Sequence, residues 1–519
     1  MRIGWLLGLL PGPALACGGL FCSTGPAAAP VDQNAERILF EMEADQICTT
    51  VQIRYVGSPE AFAWVVPVPE PPTVEDGDQA TLDALAQAVA LQWQMPAIDT
   101  QDCPQATGFG EEASCGGCAS DDAGGGSAAA WPDGGVFPTV DGVQVFDRQQ
   151  TDNYETATIG AENAAVLVDW LVLNQFNVSE NMVPAMQPYA DERQVFLAIK
   201  LRTDVRAAQI APVRFCYRAA APSIPLRLTA VAAQPQMAVQ VFVAGYTLFA
   251  PMDAEHSPPD PDVIAFDGNL RTNYSAWVAR EVAHNNGRFW SEEYADRTPL
   301  AGLPPWLTVW YSRMGPEQMD HDPTFVAAPD LPGAQGLVDL SGRAAVLSCN
   351  GPIAARQPSA CAFVFCGVGA TCVDFGNGQA GCDCPGDQVA VTVDNPDGTR
   401  NAVCAPAANP LGVTPEDGGD PCAFADCGQG ECIARGGFAT CRCAEGAAAV
   451  AAAPLVCTAY PAMALTFAEG ASIEAGNDDD APFDGPARAR SVGFWAFLAV
   501  LGWGIGRRFT GPATRRRRR

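Results

Sequence analysis

Lysine is nearly missing from this 519-residue chain, in which Lys200 is the only one. Histidine is almost as scarce, with only His256, His284 and His321. Thirty basic residues face 59 acidic ones, a formal net charge of −29. Eight of the arginines sit at the two extreme ends, so the body of the chain is more acidic still. Such a surface cannot neutralise phosphates, which excludes nucleic acid as a partner. It suits an exposed ectodomain that repels other anionic surfaces. No H-E-x-x-H, no G-x-S-x-G and no phosphate-cradling glycine loop occurs. The familiar sequence signatures of zinc proteases, serine hydrolases and nucleotide binders are therefore missing. Asp320-His321-Asp322 comes nearest to a metal or acid–base cluster, but Pro323 follows it and the triplet reads as a solvated turn. Among so many carboxylates, two acids close in sequence carry no diagnostic weight.

Cysteine, by contrast, is abundant, at 20 residues. Twelve fall into two sets near the C-terminus with one internal rhythm. The first is Cys361, Cys366, Cys372, Cys382, Cys384 and Cys404; the second is Cys422, Cys427, Cys432, Cys441, Cys443 and Cys457. The gaps are 4, 5, 9, 1 and 19 residues, then 4, 4, 8, 1 and 13. About forty residues cannot bury a self-sufficient apolar core, so covalent links are needed. Zinc is disfavoured, because residues 322–519 contain no histidine and the chain carries an export signal. The other eight cysteines are Cys17, Cys22, Cys48, Cys103, Cys115, Cys118, Cys216 and Cys349. They are even in number and allow four bridges whose pairing the sequence does not give. Cys115-Gly116-Gly117-Cys118 has redox-motif spacing, but it lies in a glycine-rich stretch with no helix signal after it, so structural bridging is the better reading.

The ends speak of the cell envelope. Met1-Arg2, an apolar run from Ile3 to Leu10 and the small residues of Ala14-Leu15-Ala16 read as a signal peptide over 1–16. Cys17 would then open the mature chain. A lipid there is disfavoured by bulky Leu15 and by the odd cysteine count it would leave. Residues 491–506 carry no charge and are followed by an arginine-rich tail, 507–519. Sixteen helical residues span about 24 Å against about 30 Å of hydrocarbon, a shortfall that thinning and flanking residues can cover. The arginines put the tail in the cytoplasm and the N-terminal part outside.

Between these ends the pattern is mostly strand. Strands are expected at 36–43, 51–55, 61–66, 143–146, 155–159, 194–202, 213–218, 226–232 and 238–243. The prolines of Pro67–Pro72 should take the chain out of its sheet. Helices are expected at 80–92, 163–175 and 274–285, covering the sheet. Residues 99–135, rich in Gly, Ser, Ala and Asp, read as an insertion, and 459–490 as an acidic linker. Trp64 is assigned to the core.

Three resemblances follow from particular residues. Cys17-Gly18-Gly19-Leu20-Phe21-Cys22, the run Pro30–Arg37, Phe62–Pro69, Ser223–Thr229 and the stretch near Pro323-Thr324-Phe325 resemble a bacterial secreted family, domain of unknown function 2330, over about residues 17–340. That family implies export, often with a C-terminal anchor, and no activity or site. The cysteine sets, at 356–405 and 420–458, resemble EGF-like modules. That resemblance implies pairs Cys361–Cys372, Cys366–Cys382 and Cys384–Cys404, then Cys422–Cys432, Cys427–Cys441 and Cys443–Cys457. Calcium-binding modules of that type carry acids just before the first cysteine; Arg356–Ala360 has none and Asp417–Pro421 matches poorly, so calcium is not expected. The C-terminal end resembles surface-sorting tails of the MYXO-CTERM type, without the cysteine motif that precedes their span.

The expected fold class is α+β, mostly β: a large β-rich domain with covering helices over 17–350, two small disulfide-rich modules and one C-terminal transmembrane helix. The expected function is a non-catalytic interaction or adhesion protein, exported and held to the membrane by that helix, with an extracellular protein partner. An extracellular hydrolase or metal-dependent enzyme in the large domain is the alternative, and a structural component of the envelope a third reading. No catalytic, metal or cofactor-binding residue and no cofactor is assigned.

Overall fold

The computed structural model describes residues 32–43, 46–56, 63–95, 140–174, 176, 178, 182–202, 211–231, 233–267, 271–342, 358–376, 378–395, 399–407, 421–435, 438–451, 455–461 and 465–468. The expected signal peptide, insertion, transmembrane segment and arginine tail lie outside them, as do Cys17, Cys22, Cys103, Cys115, Cys118 and Cys349. Among the described residues no helix is long and apolar enough to cross a membrane. Of these residues 47% are strand and 17% helix, so the protein is mostly β.

Val239, Val241 and Val243 alternate with Gln240, Phe242 and Ala244, and all but the partly buried Gln240 are buried. A strand buried on both sides needs a layer on each face, and the chain supplies them. In order come β1 (Asp32–Glu43), β2 (Gln46–Val56), β3 (Ala63–Val68), β4 (Thr73–Asp76), α1 (Gln79–Ala88) and β5 (Gln92–Gln94). Next are β6 (Val143–Gln150), β7 (Tyr154–Ala161), α2 (Ala164–Leu173), α3 (Val183–Asp191), β8 (Val195–Leu201) and β9 (Val213–Tyr217). Then follow α4 (Leu226–Thr229), β10 (Ala233–Gly245), β11 (Phe249–Pro251), β12 (Glu255–Ser257) and α5 (Tyr274–His284). The large domain ends with β13 (Phe289–Arg297), β14 (Trp306–Met314), β15 (Phe325–Ala327) and β16 (Leu337–Asp339).

An eight-stranded sheet runs β12-β13-β14-β10-β1-β2-β9-β4, with β1–β10 and β12–β13 parallel. A four-stranded antiparallel sheet runs β3-β8-β7-β6. Ile38, Phe40 and Val241 of the first meet Trp64, Leu197 and Ile199 of the second in the main core. Behind the small sheet, Phe196 and Ala198 pack under Leu167, Trp170 and Leu171 of α2 and Met186 of α3. Behind the large one, Leu39 and Phe242 pack under Leu82 and Leu85 of α1, while α5 covers β13 and β14. The layers are thus helix, sheet, sheet, helix. At one edge Gln149 ties the sheets together, its Nε2 donating to Pro72 O (2.9 Å) and its Oε1 accepting from Val74 N (2.8 Å). Cys48 and Cys216 face each other across β2 and β9 and are bonded.

Several expectations change. Residues 226–229 form a one-turn helix where a strand was expected: Leu226 faces the main core and Leu228 the core behind the small sheet, so their alternation reflects two cores rather than a pleat. Strand β3 continues through Pro67 to Val68, because it is an edge strand and Pro67 need not donate on its open side. Helix α3 carries Pro184 at its start and Pro188 inside, which hid it from the sequence reading. Strands β13 and β14 were not expected at all.

The C-terminal part has β17 (Thr371–Asp374), β18 (Ala380–Asp383), β19 (Gln388–Asp394), β20 (Arg400–Pro406), β21 (Gly430–Arg435), β22 (Phe438–Cys443), β23 (Ala447–Val450), β24 (Val456–Ala459) and β25 (Leu465–Ala468). Six disulfides join Cys361 to Cys372, Cys366 to Cys382, Cys384 to Cys404, Cys422 to Cys432, Cys427 to Cys441 and Cys443 to Cys457. The two cysteine sets do not stand apart. They share one sheet, β24-β23-β18-β17-β25, and a second, β20-β19-β22-β21. Cys382 pairs with Ala449 and Ala390 with Cys441 across the joins. Strand β25, from the segment read as a linker, completes the first sheet.

This unit is docked on the large domain. The Arg280 guanidinium of α5 donates to the carbonyls of Cys361 (2.7 Å), Ala362 (3.1 Å) and Val364. Phe365 is buried against Ala276 and Ala279. Buried Arg313 bridges Gln236 O (3.3 Å) and Asn395 Oδ1 (2.8 Å), and Gln236, at φ 57°, donates its side chain to Phe365 O.

Candidate functional site

Strand β13 opens with Phe289-Trp290 and then carries two consecutive acids, Glu292 and Glu293, both buried. Its register against β14 shifts between Glu292 and Tyr294, so Glu293 is the extra residue of a bulge. The two carboxylates point to opposite faces of the sheet, Glu292 to the side of Trp310 and Glu293 to the side of α5, and both faces are covered.

Their surroundings differ. Glu293 accepts from Tyr274 Oη on α5 and Gln240 Nε2 on β10, each at 2.9 Å. Burial pushes its carboxyl up, and burial with the nearby Glu293 charge pushes the Tyr274 phenol up. This pair is sealed inside the protein and cannot meet a substrate. Glu292 instead lies 3.9 Å from Nδ1 of His256 on the edge strand β12. Burial raises Glu292 to about 7. Burial also lowers His256 below its ordinary value, against the pull of Glu255. The His256 ring meets Trp310 edge-on at 5.0 Å and its side chain is 29% exposed, so this pair alone of the two reaches solvent. A carboxyl raised to about 7 beside a part-exposed histidine can exchange a proton with a bound molecule.

The Asp320–Asp322 triplet diverges. Asp320 is exposed and meets His321 Nδ1 at 3.0 Å, with Arg288 3.9 Å away. Asp322 turns inward, only 12% exposed, a correction to the solvated turn expected there. It accepts from Arg227 Nε (3.0 Å), Arg227 Nη2 (2.7 Å), the Arg227 main chain (3.0 Å) and Tyr189 Oη (3.1 Å). Burial and the Asp322 charge raise the Tyr189 phenol far above its usual value. The acid therefore locks α4 to α3 and does not join His321. Among the described residues no group of three or more His, Cys, Asp or Glu side chains is arranged to hold a metal ion.

The pairing of Glu292 with His256 escaped the sequence reading because Glu292 is one of 59 acidic residues. The available signal was local: adjacent acids flanked by Phe289-Trp290 and Tyr294, charge set into a pattern that otherwise reads as buried strand. Trp64 is buried in the core.

Comparison with known proteins adds family and little more. No curated protein matches the chain. A solved structure of a mutated baculovirus P35 after caspase cleavage aligns over 56% of this chain and 100% of its own, at 7% identity and a TM-score of 0.25, a likeness too weak to define a shared fold. A family profile matches residues 11–301, more than half of the chain. The chain therefore belongs to DUF2330, a family described as uncharacterized proteins conserved in bacteria.

Proposed function

We propose that this is an exported, membrane-anchored surface protein whose large domain works as a non-catalytic interaction or adhesion module. The observation that carries the reading is the disulfide framework. Seven bridges form only in an oxidising compartment. Six of them follow the first-to-third, second-to-fourth, fifth-to-sixth order of EGF-like modules, which supports that identity for both sets. The buried ions support the non-catalytic part of the reading: Asp322, Arg313, Arg280 and Glu293 are engaged in holding elements together. Anchoring rests on residues 491–506 and the arginines after them. Protease added to intact cells should release a fragment containing the large domain and both cysteine sets; full protection would reject the orientation. Cross-linking of the purified ectodomain, residues 17–485, to its native cell surface should yield a discrete protein adduct; none at any concentration would reject the interaction role.

The His256–Glu292 pair supports the alternative, an extracellular hydrolase using that edge for proton transfer. Turnover of an ester, peptide or glycoside substrate, lost in His256→Ala and Glu292→Gln alike, would establish the alternative and displace the first reading.

A further inference from the structure

The single lysine of the chain is buried. Lys200 lies on β8 at 3% exposure, two residues beyond Ala198 on the face that packs under α2. Its Nζ donates to the main-chain oxygen of Asn174 at 2.7 Å. It also sits 4.6 Å from the centre of the Phe176 ring. Glu155 is its direct cross-strand neighbour on β7 and shares its face with Ala157 and Ile159. Asn174 caps the C-terminal end of α2 and is 4% exposed. Its Nδ2 donates to Trp170 O at 2.8 Å, while its Oδ1 is buried with no hydrogen-bond partner.

Each of these features is costly by itself. A buried carboxamide oxygen without a donor loses hydration that the fold does not replace, and burial of the amine disfavours its charged form. Burial lowers the amine to about 8, with Glu155 pulling the other way. A substantial share is therefore the neutral, nucleophilic form at mildly alkaline pH. The amine thus lies against the residue that carries the carboxamide, with a carboxyl group opposite it on the neighbouring strand, each held on a regular element or its cap.

We propose that Lys200 and Asn174 join in an intramolecular amide cross-link, with Glu155 as the proton relay. Neutral Nζ attacks Cγ of Asn174. The Nζ–Cγ bond forms and the Cγ–Nδ2 bond breaks. A proton leaves Nζ, passes through the Glu155 carboxyl and reaches Nδ2, which departs as ammonia. An amine and a primary amide become one secondary amide, and nothing is oxidised, reduced or hydrolysed. Because Nζ already touches the main chain of Asn174, rotation about the Asn174 Cα–Cβ bond or a swing of the lysine stem brings Cγ to it. The fixed elements supply the proximity that makes an otherwise slow aminolysis feasible. The bond would close a loop between residues 26 apart and fasten the end of α2 to a central strand.

The test uses the full exported protein, reduced and denatured after purification. Its mass is expected to fall short of the sequence by one ammonia, and digestion should give one branched peptide containing both Lys200 and Asn174. Since the chain has one lysine, an amine-acylating reagent applied to the unfolded protein gives an independent readout. Lys200 should resist it in the parent protein and accept it in Asn174→Ala and Glu155→Gln, whose masses should show no ammonia loss. Full mass with an acylated Lys200 in the folded-then-denatured parent protein would overturn the proposal. So would ammonia loss with Lys200 still reactive, the result of asparagine cyclising on its own backbone. A cross-link formed equally well in Glu155→Gln would overturn the role given to Glu155. None of these outcomes depends on the surface role proposed above.

Discussion

The two halves of this protein make their cores from different materials. The large domain buries Trp290, Trp310, Phe40, Phe242 and Phe325 between sheets and helices. The C-terminal unit buries Cys361, Cys366, Cys372, Cys382, Ala370, Ala390, Ala402 and Ala449. Aromatics remove large apolar areas from water, so the first half holds by burial. Alanine and half-cystine remove little, so the second half holds by restricting what its unfolded chain can do. The contrast teaches that one chain in one oxidising compartment concentrates covalent restraint where segments are too short to build a core.

The sharpest way to break this contrast is reduction. Each bridge contributes about 2–4 kcal/mol, so residues 356–458 should lose protease resistance entirely in reductant while the large domain, with Cys48–Cys216 alone among its described bridges, loses far less. Equal resistance with and without reductant would erase the distinction. The converse is Leu197→Ala, at a fully buried position in the main core. It should lower the stability of the large domain by about 2–5 kcal/mol in denaturant titration, with the disulfide-bonded unit still protected in hydrogen exchange. The join itself is probed by Arg280→Ala. Loss of hydrogen bonds from a charged donor to three carbonyls should cost about 1.5–3 kcal/mol and speed exchange at residues 360–363, leaving both halves folded.

The remaining effect concerns pH. Burial raises the folded carboxyl of Glu292 from 4.5 to about 7. The folded form therefore holds its proton more tightly than the unfolded chain. The cost of burying the anion is absent below 4.5 and grows as pH rises through about 7, at about 1.4 kcal/mol per unit at most. Glu292→Gln should remove that cost, so its gain in melting temperature over the parent should be largest well above pH 7 and vanish near pH 4.5. His256, lowered by burial, acts in the opposite sense, losing stability as pH falls through its ordinary range, and stays present in both proteins. A constant offset at all pH values would remove Glu292 from the picture.

What the sequence disclosed follows from how local the signals are. Alternation at 36–43 and 238–243 marked strands of the large sheet, and apolar spacing marked α1, α2 and α5. A mostly β architecture with covering helices was legible for that reason. Pairing of distant segments was not. Nothing in the alternation of Val51, Ile53 and Val241 says that β1 lies between β2 and a parallel β10. The acids of β13 were illegible because adjacent residues of a strand face opposite sides, and only the fold shows that both sides of this strand are covered. Cysteine spacing outlined each C-terminal set but was silent on the sheets that cross between them, which are built on alanines such as Ala390 and Ala449.

That crossing has a consequence for biogenesis. A polypeptide synthesised from its N-terminus delivers β18 and β19 well before β22 and β23 arrive to cover them. During that interval the earlier hairpins present bare peptide groups along their sides, the surface that recruits stray strands. Oxidation of the first six thiols can finish on schedule, yet the module stays incomplete until the last stretch has emerged.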